Sequence, residues 1–271
     1  MDMIGQLVRL PYARGLWTKF PLGSLDLRMR WAILPDYPPY AYGVYNAAQL
    51  ASRLGIARIS AIECGVAGGR GLLALEKIAA EAGAHFNVAI DVVGFDTGEG
   101  MPDPVDYRDL PHVWNSGFYR MDVDKLRQRL MSAKLVLGDI AETAQAWLAG
   151  AHEAPVGFVA FDLDYYSSTT KALQLFEGPA ATHLPRVHCY FDDVVGPEFA
   201  CMNDSVGELL AIDEFNTGHA ARKICQIRNL RCARQRDEAW YAQIYAFHNF
   251  EHPRYTENVA PTDPHWRQLP I

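Results

Sequence analysis

Three groups of residues in this chain have the types and spacing to do chemistry. The first is Ile59-Ser60-Ala61-Ile62-Glu63-Cys64-Gly65-Val66-Ala67-Gly68-Gly69-Arg70-Gly71, where an apolar stretch ends in an acid and four glycines follow in seven residues. Glycine lets the backbone take positive φ and lets a ligand lie against it, and a helix start presents free N–H groups, so a nucleotide-like ligand is expected there. A plain turn seldom needs so many glycines. The second group is Phe161-Asp162-Leu163-Asp164-Tyr165-Tyr166-Ser167-Ser168-Thr169-Thr170-Lys171-Ala172-Leu173, and the third is Tyr190-Phe191-Asp192-Asp193-Val194. Four carboxylates in one crevice repel one another and carry raised pKa values unless a cation sits among them. Their hard oxygens suit Mg²⁺, which needs only a few carboxylates and keeps several waters. Helix capping and turn formation account for Asp164 alone better than for all four.

Strands and helices must alternate to position these groups. Apolar, β-branched runs predict strands at 59–63, 92–96, 135–137, 156–162 and 187–192, and apolar residues at 72, 73, 75, 78 and 79 predict a helix to about Ala82. That alternation implies a parallel, doubly wound α/β sheet. Each strand ends at or next to an acid: Glu63, Asp96, Asp139, Asp162 and Asp192. In an open α/β sheet the ligand crevice lies outside the carboxyl ends of the strands, so these acids are expected to converge on one edge. Residues 204–215 read as a helix, and 222–231 and 239–250 as two strands joined by the charged turn Gln235-Arg236-Asp237-Glu238. Upstream, 44–54 reads as a helix ended by Gly55. Before it, Pro11, Pro21, Pro35, Pro38 and Pro39 break regular structure in an aromatic N-terminal stretch. That stretch is read as a lid, an oligomer contact, or packing on the sheet.

Two cofactor patterns overlap in the glycine run. Gly69-Arg70-Gly71-Leu72-Leu73-Ala74 satisfies the dinucleotide fingerprint, which wants its first glycine immediately after the strand; here that glycine lies six residues past Glu63. Glu63, Gly65, Gly69 and Gly71 match in full the pattern acid-x-Gly-x-x-x-Gly-x-Gly, which resembles motif I of class I S-adenosylmethionine-dependent methyltransferases. A sulfonium cation without phosphate is served better by a strand-end acid than by an anion-favouring helix N-terminus. The resemblance implies a Rossmann-like, doubly wound, mostly parallel sheet of about seven strands with a C-terminal antiparallel hairpin. It also implies that Glu63 contacts the methionine part of the cofactor, with the glycines beneath it. Asp96 then takes the ribose hydroxyls beside Thr97, Asp139 lies at the adenine, and Asp162 borders the same site. A dehydrogenase would use Asp96 alike, and Asp139 equally suits the N-cap of a helix over 141–148.

The pattern Asp162, Asp164, Tyr166, Ser168, Thr169, Ala172 and Leu173 narrows the resemblance to the macrocin O-methyltransferase family, which methylates sugar hydroxyls of natural products with Mg²⁺. Glu63 to Val66 and Phe95-Asp96-Thr97-Gly98-Glu99-Gly100-Met101-Pro102 are similar to the same family, so three motifs in order span about residues 59–195. The resemblance implies a metal held by Asp162, Asp192 and Asp193. Leu163, Val194, Ala67, Gly68 and Gly71 depart from the family pattern, which leaves the acceptor pocket open. An alcohol is a weak nucleophile and needs a base, a metal, or both. His112, in the insertion Pro111-His112-Val113-Trp114-Asn115-Ser116-Gly117-Phe118-Tyr119, is the candidate base, with Asp162 able to share that role.

The chain is thus read as an N-terminal extension over 1–45 and a single methyltransferase domain over 46–271, acting on a hydroxyl of a small molecule. The rivals are an NAD-dependent oxidoreductase using Gly69, Gly71 and Ala74, distinguished by where the first strand ends, and a non-catalytic binding protein. The composition is that of a globular chain, with 49% hydrophobic residues and a formal charge of −7. The acidic balance argues against nucleic acid as a partner. Five cysteines without C-x-x-C spacing imply reduced thiols, with Cys64 and Cys189 as small buried hydrophobes. No run reaches the length of a membrane span and no signal-peptide layout opens the chain, so the cytoplasm is the expected location.

Overall fold

Strands β1 (Arg58–Cys64), β2 (Ala89–Asp96), β3 (Lys134–Leu137), β4 (Val156–Phe161), β5 (His183–Phe191), β6 (Arg222–Gln226) and β7 (Ile244–Asn249) lie in the order β3-β2-β1-β4-β5-β7-β6. β3, β2, β1, β4 and β5 pair in parallel, and β7 runs antiparallel between β5 and β6. This is the expected sheet with its C-terminal hairpin. The computed structural model describes residues 16, 23–30, 34, 37–150, 154–228, 230 and 238–260. Most of the N-terminal stretch, the turn residues 235–237, Cys232 and the tail from 261 lie outside the described residues.

The helices are α1 (Leu25–Arg30), α2 (Pro38–Arg53), α3 (Arg70–Phe86), α4 (Val123–Arg129), α5 (Ile140–Ala149), α6 (Tyr166–Ala172) and α7 (Gly207–Gly218). Side chains alternate across a strand, so each strand serves two layers. On one face Tyr40 and Tyr42 of α2 pack against Phe158, Tyr190 and His188. On the other, Phe161 stacks on Phe191 at 4.5 Å and Phe176 on Phe247 at 4.1 Å, with Phe215 of α7 against the second pair. Cys64 and Cys189 are buried in these layers, as expected. Among the described residues no helix is long and apolar enough to cross a membrane.

Several boundaries differ from the sequence reading: β6 ends at Gln226, not at 231, and α7 runs Gly207–Gly218, not 204–215. α2 begins at Pro38, six residues before the expected Val44. Proline at the first helical positions gives up only an N–H that has no intrahelical acceptor, so Pro38-Pro39 starts this helix where it was expected to prevent one. β5 begins at His183 although Pro185 interrupts it, because the β4–β5 register shifts between Val156 and Phe158 and spares the missing N–H a ladder partner. β7 begins at Ile244 because Ala239–Gln243 forms a 3₁₀ turn whose last side chain is used elsewhere.

The chain order reverses between β1 and β4, with β2 and β3 on one side and β4 and β5 on the other. Such a reversal splays the connecting loops apart and opens a crevice at the carboxyl ends of the two strands. Gly65 and Asp162 stand at that point.

Candidate active site

The loop after β1 is built by contacts that only small residues permit. Gly65 has φ 87°, and a Cβ there would lie 1.8 Å from the carbonyl oxygen of Asp162. The loop is tied to both neighbours: Gly65 N donates to Phe95 O at 2.9 Å, and Asp162 N donates to Cys64 O at 2.9 Å. Asp96 then organises it, accepting from Val66 N at 2.8 Å and Ala67 N at 2.9 Å through Oδ2, and from Gly98 N at 2.6 Å through Oδ1. Asp96 therefore fixes the loops after both β1 and β2.

Glu63 lies behind this loop. It is 2% exposed, takes a 2.7 Å hydrogen bond from the Tyr40 hydroxyl on Oε1, and has no partner for Oε2 among the described residues. Burial pushes its carboxyl well above the usual range, and the Tyr40 hydrogen bond opposes that shift. Gly71, in the first turn of α3, rests on it: a Cβ there would come within 1.9 Å of Glu63 Oε1. Gly69 is the N-cap of α3 at φ 79°, with Leu126 of α4 filling the space a side chain would need.

Across the crevice, Asp162, Asp192 and Asp193 each offer an oxygen within 4.8 Å of the others'. Burial and the neighbouring aspartates raise Asp162 and Asp193 well above the usual carboxylate range, and Asp164 is pushed up to about 7 by burial and by Asp162. The cluster is held from behind. Asp193 Oδ2 accepts from Asp164 N at 2.9 Å, Asp193 N donates to Oε2 of the fully buried Glu208 at 2.9 Å, and Tyr190 donates its hydroxyl to Asp192. Gln243, the residue that ends the 3₁₀ turn before β7, donates to Asp192 O at 2.7 Å and Oδ1 at 3.2 Å. Asp164 does not cap α6. It holds a left-handed φ of 59°, and the α6 N-terminus is met instead by buried Asp109, which accepts from Ser167 N at 2.8 Å and Ser167 Oγ at 2.9 Å.

One cavity of about 340 Å³ joins the two halves. Of the residues singled out in the sequence, Gly65, Asp96, Thr97, Asp139, Asp162, Asp192 and Asp193 line it, and Glu63, Gly69, Gly71 and His112 do not. Asp139 meets both of its readings: it caps α5 through Ala141 N at 2.8 Å and faces the cavity, held below the usual range by that N–H and by Lys171 at 3.0 Å. His112 is turned away, its Nε2 being 3.3 Å from Ala200 O. The same insertion sends in Trp114 and Tyr119, joined by Met101, Ser168 and Lys171, none of which had been assigned a role, and by Asp164, one of the four carboxylates expected around a cation. Asp164 was legible in the Asp-x-Asp spacing; nothing in the insertion marked its two aromatic residues apart from the histidine.

The site thus places a glycine loop, a second-strand acid and a carboxylate triad around one cavity at the switch point. The sheet order, with an antiparallel β7 between β5 and β6, is the class I methyltransferase fold. The solved structures agree. The chain is similar to the calicheamicin methyltransferase CalS11 at 18% identity and a TM-score of 0.52, over 93% of this chain and 97% of that one. It is similar to the O-methyltransferase NovP at 14% identity and a TM-score of 0.51, over 83% and 88%. No protein-family model matches the chain, and no curated protein matches it.

Proposed function

We propose that the protein is an S-adenosylmethionine-dependent O-methyltransferase acting on a hydroxyl of a small molecule such as a sugar unit of a natural product. The observation that carries this reading is the convergence of the Asp96-held glycine loop and the Asp162, Asp192, Asp193 triad on one cavity. The oxidoreductase reading loses ground because β1 ends at Cys64 and the first glycine past it is Gly65, so Gly69 does not follow the strand directly. The two solved structures with the same fold, a calicheamicin methyltransferase and an O-methyltransferase, support the reaction type.

Asp96 and Thr97 hold the cofactor ribose in this reading, with Asp139 at the adenine and Gly65 giving the cofactor close passage over β1. Glu63, Gly69 and Gly71 shape the loop from behind. The donor set fits Mg²⁺: three carboxylate oxygens close enough to share one ion, two of them on groups raised by burial and then by mutual repulsion. Asp162, Asp192 and Asp193 would hold it, and it would lower the pKa of an acceptor hydroxyl. The chain's own part in the transfer is to align an oxygen nucleophile about 3 Å from the methyl group and in line with the leaving sulfur. The proton goes to a carboxylate of the cavity wall. Asp164, buried and facing the cavity, is better placed for it than His112.

The test is transfer of label from methyl-tritiated S-adenosylmethionine to a panel of hydroxylated glycosides. Label on oxygen, abolished by a chelator and restored by Mg²⁺, is the expected result. Transfer untouched by the chelator removes the metal, and cofactor turnover with NAD⁺ in its place overturns the reading.

A further inference from the structure

The insertion between β2 and α4 faces the aspartate cluster with two aromatic side chains that the transfer chemistry does not use. It is a fixed wall. Met101 N donates to Phe118 O and Gly117 N to Met101 O, both at 2.8 Å, and at its other end Asp109 receives Ser167 of α6. Trp114 and Tyr119 stand 6.3 Å apart with their rings at 60° and both line the cavity. Tyr119 is held at a left-handed φ of 61°, an outlier for a bulky residue that persists only where surrounding structure imposes it. Its hydroxyl is raised by burial and then by Asp164, Asp193, Asp162 and Asp192, so it lies in the field of the whole cluster. The indole N–H of Trp114 is buried and meets no acceptor among the described residues. A buried donor left this way costs free energy, so the ring is held in place by the wall around it and not by its N–H.

Charge limits what the ligand is. Asp96, Asp139, Asp162, Asp164, Asp192 and Asp193 all line the cavity, and the amine of Lys171 is already paired with Asp139. One amine, a divalent cation and a sulfonium do not balance six carboxylates, so an anionic group on the acceptor is repelled. A flat-faced, hydroxylated ring meets the aromatic wall and the aspartates together.

We infer that Trp114 and Tyr119 form the acceptor-binding wall and set specificity for an uncharged hydroxylated ring, such as a neutral glycosyl unit. The inference rests on the methyltransferase reading and names its acceptor class.

The probes are p-nitrophenyl β-glucoside and p-nitrophenyl β-glucuronide, a pair differing by one carboxylate, titrated into protein holding S-adenosylhomocysteine and Mg²⁺. The glucoside should bind roughly tenfold or more tightly than the glucuronide. Trp114→Ala and Tyr119→Ala, which remove the rings of the wall, should each weaken the glucoside roughly tenfold. In ¹⁵N spectra the indole signal absent from Trp114→Ala should be the one that moves when glucoside is added to the wild type. Equal or tighter binding of the glucuronide, no binding of either probe by loaded protein, or unchanged binding in both variants overturns the inference. Titration of each variant with S-adenosylhomocysteine shows that the fold is kept, and failure of the wild type to bind it sinks the methyltransferase reading instead.

Discussion

The hydroxyl of Tyr40, on the N-terminal helix α2, donates a 2.7 Å hydrogen bond to Oε1 of Glu63 at the end of β1, and both residues are buried. This contact fixes the helix to the floor of the glycine loop. It is also the sole hydrogen bond to the Glu63 carboxylate among the described residues.

Tyr40→Phe removes it. Leaving a buried carboxyl without its partner should cost about 1–3 kcal/mol. The cost should not fall as pH rises. The folded-state pKa of Glu63 is raised, so its stabilising contribution is present below the unfolded carboxylate value and lost as pH rises through the folded one. Without Tyr40 that pKa rises further. The gap between the urea midpoints of variant and wild type should therefore not shrink as pH rises from 5 to 8; a gap that shrinks contradicts the role given to Glu63.

Gly71→Ala sets two effects against each other. Alanine is the better helix former by about 1 kcal/mol, yet its Cβ would sit 1.9 Å from Glu63 Oε1 and 3.2 Å from the Tyr40 hydroxyl. Overpacking of a filled site typically costs about 1–3 kcal/mol, so the clash should win and lower both stability and affinity for S-adenosylhomocysteine. Gly218→Ala, with nothing within 4 Å, is the control and should be neutral or stabilising.

The crowded aspartates predict a pH-dependent effect of metal. Asp162 and Asp193 are raised and Asp164 is at about 7, so without a cation each contributes stability that disappears as pH rises through its folded pKa. In chelator, the melting temperature should fall between pH 5 and pH 8, and Mg²⁺ should restore most of that loss. An equal shift by Mg²⁺ at both pH values would count against the triad as its site.

Gln243 grips Asp192 by its main-chain oxygen and its carboxylate. Residues that orient a metal ligand typically change metal affinity by about 10–100-fold when lost. Gln243→Ala should weaken Mn²⁺ binding, followed by electron paramagnetic resonance, by about tenfold at the lower end of that range, with affinity for S-adenosylhomocysteine unchanged.

The parts of the site that the sequence exposed are those that chain neighbours determine. A glycine run after a β-branched stretch makes a strand, turn and helix by local rules, and acids at strand ends reach one edge because a parallel sheet points all its strands the same way. Gly65, Asp96, Asp162, Asp192 and Asp193 were accessible for that reason. The Tyr40 contact was not, since it joins residues 23 apart through a helix that starts at Pro38, where proline was taken to prevent one. The insertion carries no periodicity, and its histidine stands out only as a residue type that can act as a base. The backbone turned Trp114 and Tyr119 inward and His112 toward Ala200. Asp109, which caps α6 from 58 residues away, left no local signal at all.

Calorimetric titration of the protein with S-adenosylhomocysteine, with NAD⁺ as the control ligand, tests the central claim most directly. Binding of the homocysteine product at roughly micromolar affinity, severely weakened in Asp96→Ala and absent for NAD⁺, is what the geometry predicts. Binding of NAD⁺ instead, or of neither ligand, would contradict it.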